Sequence, residues 1–178
     1  PIDIGKGDQF TPAFLKISPN NKIPAITDPN GPDGKPIHLF ESGAILLYLA
    51  AKTGRFLPSS TRAKYEVLQW LMFQMGGFGP MIGQAHHFLK YNKGKSEYSE
   101  QRYHAETLRL YGVLDRHLAT SPYIIRTLSI ADFATWPWAS RFEYHQVDLN
   151  DFPNVKRWYL ELAARPAFAR GYAQPKDA

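Results

Sequence analysis

A proline inside a strand-like run sets the terms for the first third of this chain. In Asn20-Asn21-Lys22-Ile23-Pro24-Ala25-Ile26 the apolar residues suit a strand, yet Pro24 lacks the N–H that a ladder needs. The run is therefore an edge strand, a bulge or a cis peptide bond. A cis bond turns the chain and leaves the N–H and C=O of Ile23 facing outward, where an extended peptide can pair with them as an added strand. Downstream, Phe40-Glu41-Ser42-Gly43-Ala44-Ile45 ends a short apolar strand, residues 37–40, and opens a helix. A helix opening presents unpaired N–H groups and the positive end of its dipole, which favours a carboxylate. Together the two runs suit an extended, anionic peptide, with its backbone paired at Ile23 and its terminal charges met by Glu41, Ser42 and the helix.

Around these runs the chain changes character once. Pro1–Ile4 reads as the tail of a strand, and Gly5-Lys6-Gly7-Asp8 as a turn. Thr11-Pro12 is a cap followed by proline at the first helical position, opening a short helix over 13–17. A strand over 22–27 and the strand over 37–40 are joined through Asn30-Gly31 and Asp33-Gly34, which are hairpin-turn signals. A helix over 42–52 stops at Gly54, and 55–60 reads as a linker. Beyond it the pattern is helical throughout: 61–75, broken by Gly76-Gly77-Phe78-Gly79-Pro80, then 81–89, 99–119, a helix opened by Ser129, and 153–164. At Ser129 the spacing to Asp132 makes a capping box, with Leu128 and Phe133 at the staple positions, and Pro137 should kink the helix that follows. The predicted architecture is α/β plus all-α: a partial thioredoxin-like domain over residues 1–54 and an all-helical domain over 61–178.

Composition narrows the function classes. With 44% apolar and 21% charged residues over 178 positions, the chain is an ordinary globular one. Its net charge of +5 suits anionic small ligands, and the basic residues are spread rather than clustered, which argues against nucleic acid. Without cysteine, any thiol chemistry must use a thiol that the ligand brings. No run resembles a membrane span or a signal peptide, so the cytoplasm is the expected compartment.

The same runs, with Pro1-Ile2-Asp3-Ile4-Gly5-Lys6-Gly7, Gly79-Pro80-Met81, Gly83-Gln84-Ala85-His86-His87-Phe88 and Ser129-Ile130-Ala131-Asp132, stand in the order found in glutathione transferases. The chain most resembles the bacterial nu-class group, over nearly its whole length. That resemblance implies the transferase fold, glutathione as cosubstrate, no metal, a homodimer, and glutathione-dependent reduction of disulfide bonds. It implies glutathione contacts at Gln9, Lys22, Ile23, Pro24, Glu41, Ser42 and Arg102. Without the resemblance, Gln9 is only a polar loop residue, Arg102 a solvated helix charge, and Glu41 and Ser42 plain caps. The family's first strand, first helix and most of its second strand, with the residues that face the glutathione sulfur, have no counterpart here. An upstream strand–helix–strand segment is therefore expected before Pro1, and no catalytic residue is assigned. Two other functions stay open: a non-catalytic glutathione-binding or regulatory module, and a conventional transferase conjugating electrophiles. His86-His87 cannot both ligate one ion from a regular helix, since consecutive residues point about 100° apart. Asp132 is explained by its capping box, and the tryptophans by helical core packing.

Overall fold

The computed structural model describes residues 1–174, which divide into two compact units, Pro1–Arg55 and Phe56–Tyr172. In the first unit, Pro1–Ile4 is not a strand. The Asp3 carboxylate accepts from the Gly5 and Lys6 N–H groups, and the Asp3 N–H donates to the Asp8 carboxylate at 2.9 Å. These local bonds take the chain into a turn, and a 3-10 turn follows at Asp8–Phe10. Helix α1 (Pro12–Leu15) starts as the sequence implies, with the Thr11 hydroxyl accepting from the Phe14 N–H and proline at its first position.

Strands β1 (Ala25–Asp28) and β2 (Ile37–Phe40) pair antiparallel, with Ala25 opposite Phe40 and Asp28 opposite Ile37. β1 begins three residues later than the run 22–27 suggests, because the chain enters it through a cis Ile23–Pro24 bond. In the connecting loop a side chain on Gly31 would meet the Lys35 carbonyl at 2.4 Å, so the close approach there demands glycine. Helix α2 (Ser42–Thr53) buries Gly43, Ile45 and Ala50, while Leu49 is exposed. It is tied back to the hairpin. The Tyr48 hydroxyl donates to Asp28 at 2.7 Å, and the Lys52 ammonium meets the same carboxylate and, at 2.7 Å, the Asn30 carbonyl. These donors, Lys52 first and Tyr48 second, hold the Asp28 pKa down to about 2.

The second unit is all helical. α3 (Thr61–Phe73) is capped by the Ser60 hydroxyl. Gly76 to Pro80 does not break the helix. A π-helical turn at Gln74–Phe78 carries the path on into α4 (Gly79–His86), and a second π turn, His87–Tyr91, follows. The wider turn absorbs Pro80, whose missing N–H and ring would conflict with a regular α-helix. Gly79 and Gly83, one helical turn apart, let Trp138 approach: a side chain on either would meet its ring at 3.2 Å.

α5 (Glu97–Leu118) buries Thr107, Leu110, Tyr111, Leu114 and Leu118 on one face. α6 (Ile130–Ala139) remains helical through Pro137. It is followed by α7 (Pro153–Ala163) and α8 (Pro166–Tyr172). Val67, Leu71, Phe78, Ile82, Leu114, Val155, Trp158 and Leu162 are fully buried between these helices. The opening of α7 has no cap of its own. Asp115 of α5 supplies one, accepting from the Asn154 and Val155 N–H groups at 2.8 and 3.0 Å.

The capping box at Ser129 forms, and Asp132 does more than close it. Oδ2 accepts from the Ser129 N–H and hydroxyl; Oδ1 accepts from the Ile124 N–H and the Trp158 indole, both at 2.9 Å. Removing this carboxylate strands four donors, three of them buried backbone or indole groups. Asp132→Ala should therefore cost about 3–5 kcal/mol. Urea denaturation measures it, and a loss below ~1 kcal/mol would show that the carboxylate is dispensable.

His145 is fully buried, and neither ring nitrogen has a partner among the described residues. Burial, and then the His86 ring 5.4 Å away, hold its pKa down to about 3. Below the unfolded value of about 6.5 only the unfolded chain takes up this proton. Stability is thus lost as pH falls from there, by up to ~1.4 kcal/mol per unit. His145→Phe should flatten the dependence of unfolding free energy on pH between about 6 and 4 by that amount. An unchanged slope would rule out His145 as its source.

Candidate functional site

The hairpin register builds the first cluster. Since Ala25 faces Phe40, Ile23-Pro24 enters and Glu41-Ser42 leaves the ladder at the same end. Ile23 lies outside the ladder, 50% exposed, and makes no backbone hydrogen bond among the described residues. Its N–H and C=O are therefore open to an extended peptide.

Glu41 sits at the N-cap position of α2, with its carbonyl accepting the first helical bond from Ile45 at 2.9 Å. Its side chain makes no capping bond, so the carboxylate is not used as the cap that the sequence suggests. Its backbone is unusual. At φ 69° and ψ 114° it occupies a region that residues with a Cβ rarely adopt, at a cost of order 1–3 kcal/mol. A non-glycine is thus held there, exposed at a helix opening, with no capping bond from its side chain. Ser42 follows at the first helical position, where N–H groups and hydroxyl can meet an anion.

Gln9 is placed differently. Its amide donates to the Ile4 carbonyl at 3.3 Å, while its Oε1 is buried without a partner among the described residues. Lys22 is exposed, and its carbonyl accepts from the Ser18 hydroxyl at 2.8 Å. The structure thus gathers Ile23, Pro24, Glu41 and Ser42 at one end of the hairpin, with Lys22 next in the chain and Gln9 engaged locally.

Arg102 belongs to the second unit. It lines a cavity of about 660 Å³ beside Met81, Tyr98, Gln101, Tyr103 and Glu106. Phe88 stacks on Tyr103 at 5.6 Å and fixes one wall. Glu106 lies one turn beyond Arg102 and is bound by Arg109 through two bonds of 2.7 Å. That pairing holds the Glu106 carboxyl below its ordinary range. The spacing of Tyr98, Arg102, Glu106 and Arg109 along one helical stripe was the available signal for this wall, and sequence reasoning singled out only Arg102. His86 stacks on Tyr91 at 5.0 Å, and among the described residues no group of three His, Asp or Glu is placed to hold a metal.

Comparison with known proteins agrees with this geometry. The glutathione S-transferase N-terminal domain model matches residues 1–52, and the C-terminal domain model matches residues 97–161. The chain is 52% identical to the disulfide-bond oxidoreductase YfcG of Escherichia coli (strain K12), over 93% of this chain and 78% of that protein. It is 40% identical to the disulfide-bond oxidoreductase YghU of the same organism, over 96% of this chain and 61% of that protein. A glutathione transferase from Burkholderia graminis, solved with two glutathione molecules per subunit, superposes with a TM-score of 0.93 at 47% identity, covering 99% of this chain and 77% of the other. One from Pseudomonas putida, solved with one glutathione disulfide per subunit, gives 0.93 at 45% identity, covering 98% and 79%. With 52% identity to one relative across most of both chains and a TM-score of 0.93 to two solved glutathione transferases, the chain belongs to the glutathione S-transferase family.

Proposed function

We propose that the chain acts as a glutathione-dependent disulfide-bond reductase that binds glutathione or its disulfide. The observation that carries this reading is the strained Glu41 at the opening of α2, at the same end of the hairpin as the unpaired backbone of Ile23. Ile23 pairs with the ligand backbone. Glu41 meets the ammonium of a γ-glutamyl group, and Ser42 with the helix opening meets its carboxylate. Lys22, Pro24 and Gln9 complete the contacts that the first unit offers; on the helical unit, Arg102 offers its guanidinium to a ligand carboxylate. Kinship with the two E. coli disulfide-bond oxidoreductases and with glutathione-bound structures supports this assignment.

The chemistry needs no cysteine from the protein. The thiolate of one glutathione attacks a sulfur of the substrate disulfide, forming a mixed disulfide and releasing one substrate thiolate, which takes up a proton. A second glutathione thiolate attacks the glutathione sulfur of that mixed disulfide. Glutathione disulfide and the second substrate thiol leave. The protein's part is to hold the glutathiones and favour the thiolate. We assign a cytoplasmic homodimer. Among the described residues no helix is long and apolar enough to cross a membrane, and Tyr65 and Met72 of α3 are 64% and 54% exposed, as a partner surface would leave them. Sedimentation at micromolar concentration gives the mass of two chains on this reading.

Reduction of a small disulfide with glutathione in excess tests the function. A non-catalytic binding module would bind glutathione disulfide without turnover. A conventional transferase would instead conjugate a chlorinated aromatic. Binding to the folded state alone raises stability by about 2.7 kcal/mol at a hundredfold excess over Kd. A thermal shift with glutathione disulfide is expected, and its absence at millimolar ligand would remove the site assignment.

Glu41→Gly and Glu41→Ala separate aim from strain. Both lose the carboxylate, so both should shrink the thermal shift. Only glycine relieves the backbone, which should leave Glu41→Gly about 1 kcal/mol more stable than Glu41→Ala in urea. Equal stabilities would show that the position is not strained.

A further inference from the structure

Arg102, Glu106 and Arg109 form a contest on one face of α5. Glu106 stands four residues after Arg102 and three before Arg109, and both spacings bring side chains together on a helix. One carboxylate thus has two guanidinium suitors. Arg109 holds it, with Nε donating to Oε2 and Nη2 to Oε1, each at 2.7 Å. This fork uses both oxygens. Among the described residues Arg102 is in no salt bridge, though it lines the same cavity as Glu106 and its charge is felt there. The guanidinium of Arg102 is therefore open on the cavity side, beside Tyr98 and Tyr103.

We propose that Arg109 is a positioning residue for anion binding. By occupying both oxygens of Glu106 it keeps Arg102 from closing on that carboxylate and leaves it open to the carboxylate of a ligand. This rests on the reading that Arg102 takes a carboxylate of glutathione or its disulfide. Without Arg109, Glu106 is free to pair with Arg102 at the i,i+4 spacing, and a ligand must then break that pair before it binds. The ligand class is set by the same chemistry: a carboxylate on a body small enough for a cavity of about 660 Å³.

Titration calorimetry of the full chain with glutathione disulfide tests this through four proteins: the parent, Arg102→Gln, Arg109→Gln, and Arg109→Gln combined with Glu106→Gln. Arg109→Gln should weaken binding about five-fold, the scale of one exposed ion pair to be broken. Adding Glu106→Gln should restore it to within about two-fold, since the competitor is then neutral. Arg102→Gln should weaken binding with no such rescue. If Arg102→Gln binds like the parent, or the parent does not bind, the reading of Arg102 fails. If Arg102→Gln weakens binding and Arg109→Gln does not, the positioning role fails while the reading of Arg102 stands. If Arg109→Gln weakens binding and the second substitution does not restore it, Arg109 meets the ligand itself and the positioning role is again overturned.

Discussion

A buried carboxylate organises the helical unit. Asp132 is fully inaccessible to solvent, and burial alone pushes its pKa upward. What makes the charge tolerable is the number of donors aimed at it. Two come from Ser129 at the start of α6, one from Ile124 in the preceding loop, and one from Trp158 on α7. A single side chain thus fixes the entry of one helix, the path of the loop before it and the rotation of a neighbouring helix. The loop over 121–128 is held by side chains of the loop itself and of α6 and α7. The Ile124 N–H is bound by Asp132, the Ile125 carbonyl by the Ser121 hydroxyl, and the carbonyls of Ser121 and Pro122 by Arg157. The Ile130 N–H donates to the Phe56 carbonyl, and the Phe56 ring meets Phe133 at 4.8 Å, so the same helix opening also anchors the start of the unit.

Which parts of this were legible in the sequence follows from range. The capping box was readable because its groups lie three residues apart, and so were the Thr11-Pro12 opening and the hairpin turn; the Ser60 cap was not, because 55–60 read as a linker. The bonds from Ile124 and Trp158 to the same carboxylate were not, since nothing local fixes a partner eight or twenty-six residues away. Gly76 to Pro80 looked like a break because proline and glycines usually end helices. The π turn offers a third outcome that periodicity does not encode, and Trp138 packed on Gly79 and Gly83 gives those glycines a packing reason. Pro1–Ile4 looked like a strand because it is apolar at alternate positions. The Asp3 carboxylate, reaching the Gly5 and Lys6 amides, competes successfully for the backbone.

At the candidate site the same division holds. Pro24 marked the irregular entry to β1, with the cis bond among the alternatives that the residue itself allows. The order Phe40-Glu41-Ser42 marked a strand running into a helix opening. The left-handed backbone of Glu41 was not readable, because it is imposed by β2 on one side and α2 on the other, against the preference of the residue itself. Arg102 was singled out in the sequence, whereas Glu106 and Arg109, at helical spacing from it, were not. Which arginine takes the carboxylate depends on side-chain geometry that spacing alone leaves balanced.

The absence of cysteine gives these placements their meaning. When the protein supplies the nucleophile, selection acts on the reactivity of one side chain. On the proposed function the ligand brings its own thiol and the protein contributes geometry: a backbone edge left unpaired, a carboxylate without a capping bond, and a guanidinium whose nearest acidic neighbour is already bound by another arginine. Each device leaves an interaction unmade inside the protein, and on the proposed function the ligand makes it. Ile23 lacks a ladder partner, Glu41 lacks a cap bond, and Arg102 lacks an ion pair among the described residues. The stability forgone at such positions has to come from elsewhere, and the dense donor set around Asp132 is where the helical unit concentrates it. The donor set around Asp132 and the proposed ligand contacts therefore use different residues. A substitution at Asp132 acts on the fold; on the proposed function one at Arg102 acts on binding, and one at Glu41 acts on both, through its carboxylate and its strained backbone.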